Sequence, residues 1–196
     1  MKTELLVALR MTAATLLLTG LGYPLVVTGV AQVLFPWRAN GSVVSAEGRV
    51  VGSELIAQGF RSPAYFQPRP SAAGADGYDA AASSGSNLGP TSAKLADRIA
   101  ADARRLAAEN PSAGAPIPDE LLTASASGLD PHLSPWAALW QVPRIAAARG
   151  VPAADLEALV AARSEPRTLG LLGEPRVNVL ALNLDLDRRS GSVPVR

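Results

Sequence analysis

The sequence predicts an α+β chain: a single N-terminal transmembrane helix followed by a small extracytoplasmic domain of helices packed on a short sheet. Three observations predict it. Met11–Phe35 holds no charged residue. Ser42–Ile56 reads as two strands around a Glu47-Gly48 turn. Thr91–Asn110 has the spacing of an amphipathic helix. The boundary is placed after the interfacial residues Trp37 and Arg38, giving an anchor over 1–38 and a soluble domain over 39–196.

The apolar run is about 25 residues long. At 1.5 Å rise per residue that crosses a hydrocarbon core of about 30 Å with some tilt. A cleaved signal has an apolar region of only about 7–15 residues, so the run is read as an uncleaved anchor. Lys2 and Arg10 precede it and Arg38 and Arg49 follow. The bias slightly favours the N-terminus in the cytoplasm and the domain outside. Thr15, Thr19 and Gly22, with Gly29 near the same face, form a strip of small residues suited to a partner helix. Pro24 should kink the helix.

Along the domain, Gly59–Pro90 is rich in Gly, Pro, Ser and Ala and lacks any period. A loop of that length inside a compact domain is usually functional or disordered. Tyr65, Phe66 and Tyr78 supply packing area within it. In the helix at Thr91–Asn110, Leu95, Ile99, Ala103 and Leu106 share a face, with Thr91 or Ser92 as cap. Ile117–Ser125 reads as a short helix opened by Pro118. Ser134-Pro135 is a cap and first-turn proline for the next, with Trp136, Trp140, Pro143 and Ala147 on one face. Pro143 should kink or split that helix. Gly150 ends it and Pro152 opens another. In Arg176–Arg189, Leu180, Leu182, Leu184 and Leu186 alternate with Asn183, Asp185 and Asp187. That alternation predicts a half-buried strand that joins the early hairpin.

The chemistry is sparse. A net charge of +1 provides no basic footprint for nucleic acid. With no cysteine and one histidine, an ordinary zinc centre cannot form, and Asp130, His132, Asp185 and Asp187 are read as solvated acids and a turn rather than a cation site. Ser83–Ser92 is a Gly/Ser loop before a helix start, without the lysine of a phosphate-cradling loop. Thr123–Pro135, "TASASGLDPHLSP", gathers Ser, Asp and His. A catalytic triad draws its members from distant segments on a rigid scaffold, and no G-x-S-x-G elbow occurs. The run is read as a turn and helix cap that presents or supports a partner surface through Asp130 and His132. The alternative is a membrane-anchored stand-alone hydrolase using Ser127 or Ser134 with His132.

Six blocks occur in order: "GSELIAQGF" (Gly52–Phe60), "YFQPRPSA" (Tyr65–Ala72), "SGSNLGPT" (Ser84–Thr91), "TASASGLDPHLSP", "QVPRIAAARG" (Gln141–Gly150) and "LGEPRVNVLALN" (Leu172–Asn183). Together they resemble the KdpC family, the C subunit of the bacterial Kdp potassium-transporting ATPase, across nearly the whole chain. The resemblance implies a subunit of a high-affinity K+ importer in the bacterial plasma (inner) membrane. Its implied partners are a channel-like potassium-selecting subunit, a P-type ATPase catalytic subunit and a very small membrane subunit. The chain lacks the D-K-T-G phosphorylation motif of the catalytic subunit, so the implied role is accessory: assembly, or a catalytic chaperone that raises ATP affinity. It also implies a nucleotide link at Gln141. A domain outside the membrane would meet no cytoplasmic ATP, and packing or backbone bonding would explain Gln141 equally. No intrinsic cofactor is expected; K+ is the cargo of the complex.

Overall fold

The computed structural model describes residues 2–114 and 116–191. The chain divides into two compact units, Met1–Val43 and Val44–Arg196.

The first unit is one continuous helix, Lys2–Leu34, long and apolar enough to cross a membrane. It comprises α1 (Lys2–Leu17), a π-helical turn (Leu18–Gly22) and α2 (Tyr23–Leu34). The π turn has a local cause. Pro24 has no N–H to offer the carbonyl four residues back, and its ring would strike that carbonyl. The turn widens by one residue instead, and the Tyr23 amide donates to Leu18 O. Thr19 Oγ1 adds a bond to Thr15 O at 2.8 Å. The expected disturbance at Pro24 thus takes the form of a π bulge. After Leu34, the short α3 (Pro36–Ala39) turns the chain. Asn40 and Gln32 exchange carboxamide hydrogen bonds, and Trp37 Nε1 donates to Val43 O at 3.0 Å.

The second unit opens with the expected hairpin, β1 (Val43–Ala46) and β2 (Arg49–Ser53). Its turn residues Glu47 and Gly48 have φ of 51° and 77°, the pair of positive angles a tight hairpin requires. Four helices match their sequence signals. Helix α4 (Ala93–Glu109) is capped by Ser92, and α5 (Asp119–Leu122) follows Pro118. Helix α6 (Pro135–Arg149) is capped by Ser134 and closed by Gly150 in the left-handed conformation. Helix α7 (Ala153–Arg163) follows Pro152. Pro143 does not split α6. The carbonyl it frees belongs to Leu139, which is exposed, so water can satisfy it. The face of Trp136 and Ala147 is not the core face. Trp136 is exposed, whereas Ala137, Ala138, Trp140, Gln141 and Ile145 are buried.

The C-terminal segment departs from the sequence reading. Only β5 (Arg176–Asn178) is extended; Val179–Ser190 is helix α8. Asn178 caps it by accepting from the Ala181 amide at 3.0 Å, and Arg188 and Arg189 lie in its last turn. Val179, Leu180, Leu182, Asn183 and Leu186 are buried, and Val179, Leu182, Asn183 and Leu186 among them follow a helical spacing hidden within the alternating leucines. Nor does the segment join the hairpin. β5 is the centre of a separate antiparallel sheet with β3 (His132–Leu133) and β4 (Ser164–Glu165). The core lies where α6, α7 and α8 meet this sheet, around Phe66, Leu133, Ile145, Leu159, Val177 and Leu182.

Candidate functional site

The long segment 54–90 has almost no regular structure, yet Ala64, Tyr65, Phe66 and Ala73 are buried. Buried backbone must find partners. Here two carboxamides act as a strand would. Asn183 of α8 accepts from the Phe66 amide at 2.9 Å and donates to its carbonyl at 2.9 Å. Gln141 of α6 accepts from the Gln67 amide at 2.8 Å and donates to its carbonyl at 3.0 Å.

Three further groups close the clamp. The Arg144 guanidinium donates to Pro63 O, Tyr65 O and Gln141 Oε1, so neutral carbonyls satisfy it. Burial pulls its pKa below the ordinary arginine value, opposed by the charge of Glu109. Arg149 donates to Ala64 O at 2.7 Å and pairs with Asp187 at 2.7 Å. It also lies 4.7 Å over the Tyr65 ring, whose hydroxyl donates to Asp187 at 3.0 Å. Beside this network a cleft of about 310 Å³ opens, walled by Val51, Phe60, Leu180 and Leu184.

The Thr123–Pro135 run is a clasp for the same segment. The Ser125 amide donates to Pro70 O, Ser71 Oγ to Gly128 O and Ser83 Oγ to Ser127 O. Gly128 has φ of 71°, and a Cβ there would collide with Ser84 O and Ala73. Each candidate hydroxyl has a partner other than His132. Ser134 Oγ donates to Glu120 and accepts from the Ala137 amide. Ser127 Oγ accepts from the Leu129 amide and contacts Ser125 Oγ. The backbone of His132 belongs to β3, and its amide donates to Asp130 at 3.0 Å. The Asp130 carboxyl is held below its ordinary value, first by the His132 side chain, against burial, then by that amide and by Arg69. His132 Nδ1 stands 3.7 Å from Asp130 Oδ1, too far for a hydrogen bond, so the amide is the firmer contact. Burial pushes the Tyr78 hydroxyl up to about 12 and keeps it a donor, bonded to Arg69 O.

The other sequence candidates are dispersed. Asp185 is tied to Arg163 and Arg188, and Asp187 to Arg149. Among the described residues no three acidic or histidine groups gather as metal ligands. Thr15, Thr19, Gly22 and Gly29 remain exposed on the apolar helix, with the Thr19 hydroxyl already bonded to its own helix. A Cβ at Gly29 meets nothing within 4 Å, so the glycine is not required by the helix itself. Sequence reasoning missed the clamp roles of Asn183, Arg144 and Arg149. The available signal was a polar residue amid apolar neighbours in each helix. It also missed the exposed apolar turn at Leu169–Leu172.

The family profile described as K+-transporting ATPase, c chain, matches residues 5–188. A protein of Myxococcus xanthus named Potassium-transporting ATPase KdpC subunit is 63% identical over 195 residues, covering 99% of this chain and 92% of its own. A Methylobacterium nodulans protein of the same name is 58% identical over 189 residues, covering 91% and 93%. One from Gemmatimonas aurantiaca is 57% identical over 187 residues, covering 95% and 94%.

Proposed function

The chain belongs to the KdpC family of K+-transporting ATPase c chains, and on that premise we propose that it is a non-catalytic accessory subunit of an ATP-driven K+ import complex. In this reading Lys2–Leu34 anchors it in the bacterial plasma membrane. The N-terminus faces the cytoplasm and the domain lies outside. The domain assembles or stabilises the ion-selecting and P-type ATPase subunits, with the very small membrane subunit completing the complex. The strip of Thr15, Thr19, Gly22 and Gly29 packs against partner helices, and the turn at Asp130 and His132 supports a partner surface.

The observation that carries this reading is the use to which the polar groups are put. Gln141, Asn183, Arg144 and Arg149 are spent on the chain's own backbone. In this reading Gln141 is a structural clamp rather than a nucleotide ligand. Its carboxamide is 2% exposed as a residue and bonded at both ends, so ATP would have to displace the 67 backbone to reach it. A chaperone effect on ATP affinity would then act through the partner subunits.

The test is recovery of the complex. The tagged full chain is extracted in mild detergent and its companions identified by mass spectrometry. A P-type ATPase and a channel-like subunit in fixed ratio are expected. Recovery of the chain alone, with hydrolytic activity lost in His132→Ala, would overturn the proposal in favour of the hydrolase.

A further inference from the structure

Between β4 and β5 the chain forms a tight turn whose tip is apolar. Leu169, Leu171 and Leu172 are 86%, 81% and 62% exposed, against 5% or less for the leucines packed on β5. The turn is built, not frayed. Thr168 and Leu172 exchange backbone hydrogen bonds at 2.9 Å, and the Gly170 and Leu171 amides donate to Arg167 O and Thr168 O. Leu169 is held at φ of 55°, a conformation that strains a branched side chain and that no internal packing rewards. The stem charges are paired: Arg167 with Glu174 at 2.5 Å and Arg176 with Glu165 at 2.9 Å.

We propose that the Leu169–Leu172 turn dips into the bilayer that holds the chain's own anchor, as a second, interfacial contact of the domain with lipid. This rests on the anchoring proposed above. Three arguments favour lipid over a protein pocket. The amides of Thr168, Gly170, Leu171 and Leu172 are satisfied within the turn, which lowers the cost of moving it out of water. Leucine is among the residues most favoured in hydrocarbon but is under-represented at protein–protein hot spots, where Trp, Tyr and Arg dominate. The tip carries no aromatic or charged side chain. Finally, the domain is tethered. From Leu34 to Val44 the chain reaches at most about 35 Å, so the domain remains beside the bilayer and the tip meets lipid at high effective concentration.

The chain has no cysteine, so single labels are clean. Leu171→Cys carries an environment-sensitive fluorophore in the full chain, reconstituted in phosphatidylethanolamine/phosphatidylglycerol vesicles with nitroxides at shallow acyl positions. Ala108→Cys, exposed on α4, and Val26→Cys, in the anchor, serve as references. The Leu171 label should be blue-shifted and quenched by lipid nitroxides several-fold more than the Ala108 label. Substituting Leu169 and Leu172 by Ser should abolish that quenching while the thermal midpoint of the domain stays unchanged. A quenched Val26 label beside a Leu171 label no more quenched than Ala108 would overturn the proposal while leaving the anchor intact. A blue shift at Leu171 that needs the purified partner subunits, without lipid quenching, would overturn it in favour of a protein contact.

Discussion

The apolar helix Lys2–Leu34 and the irregular segment 63–73 face the same physical demand and meet it differently. With the helix in the membrane, as proposed, both place backbone amides where water is scarce, and each unpaired group would cost about 1–3 kcal/mol. The helix satisfies its groups from within. Even the defect at Pro24 is absorbed by a π turn and by the Thr19 hydroxyl on Thr15 O. The segment has no ladder of its own. It borrows Gln141, Arg144 and Arg149 from α6 and Asn183 from α8. Local satisfaction makes the helix robust to its own side chains and leaves its surface uncommitted within the chain. Borrowed satisfaction makes the segment depend on a few distant residues.

The comparison predicts where the chain breaks. The largest effect should come from Asn183→Leu, which strands the buried amide and carbonyl of Phe66. A loss of about 2–5 kcal/mol is expected, read as a lowered thermal midpoint of the full chain in detergent. Gln141→Leu should follow, at about 1–3 kcal/mol, because Gln67 is only partly buried. An unchanged midpoint with a raised KM for ATP in the assembled complex would instead make Gln141 a nucleotide contact. Gly128→Ala should cost more than about 1 kcal/mol, since its positive φ and the crowding by Ser84 O both resist a side chain.

The helix should behave in the opposite way. Gly29→Leu meets open space in the isolated chain, so the midpoint should hold while recovery of the complex falls. A normal complex would remove the small-residue strip from the interface. The smallest effect belongs to Asp130. Its folded pKa is depressed, so its stabilisation is present above the ordinary carboxylate value of 3.8 and is lost as pH falls through the lower folded value. Asp130→Asn should therefore change the midpoint slightly at neutral pH and remove part of the acid sensitivity below about pH 4.

The same contrast explains what was legible in the sequence. Local devices could be read directly: the charge-free run, the Glu47-Gly48 turn, the Ser92 and Ser134 caps and the Gly150 stop. The clamp could not. Gln141 and Gln67 are 74 residues apart and Asn183 and Phe66 are 117 apart, and no local period encodes such a pairing. The strand expected at α8 is instead a helix: leucine at every second position fits both a strand and a helix that buries Val179, Leu180, Leu182, Asn183 and Leu186. Leucine's helical propensity and the Asn178 cap decide the matter. Asp130 lies in the turn the sequence predicts, whereas His132 opens strand β3, which no local signal marks because its partner Asn178 is distant in sequence. The roles of Arg144 and Arg149 depend on backbone that only the folded chain brings near.

The central claim is that the clamped domain lies outside the membrane and works through partners rather than through ATP. The most direct measurement labels Ala108→Cys in intact cells with a membrane-impermeant maleimide, in a chain that has no other cysteine. Labelling before lysis, at the level of a known external site, is the predicted result. Protection until lysis would place the domain in the cytoplasm, contradict the account and return Gln141 to the reach of nucleotide.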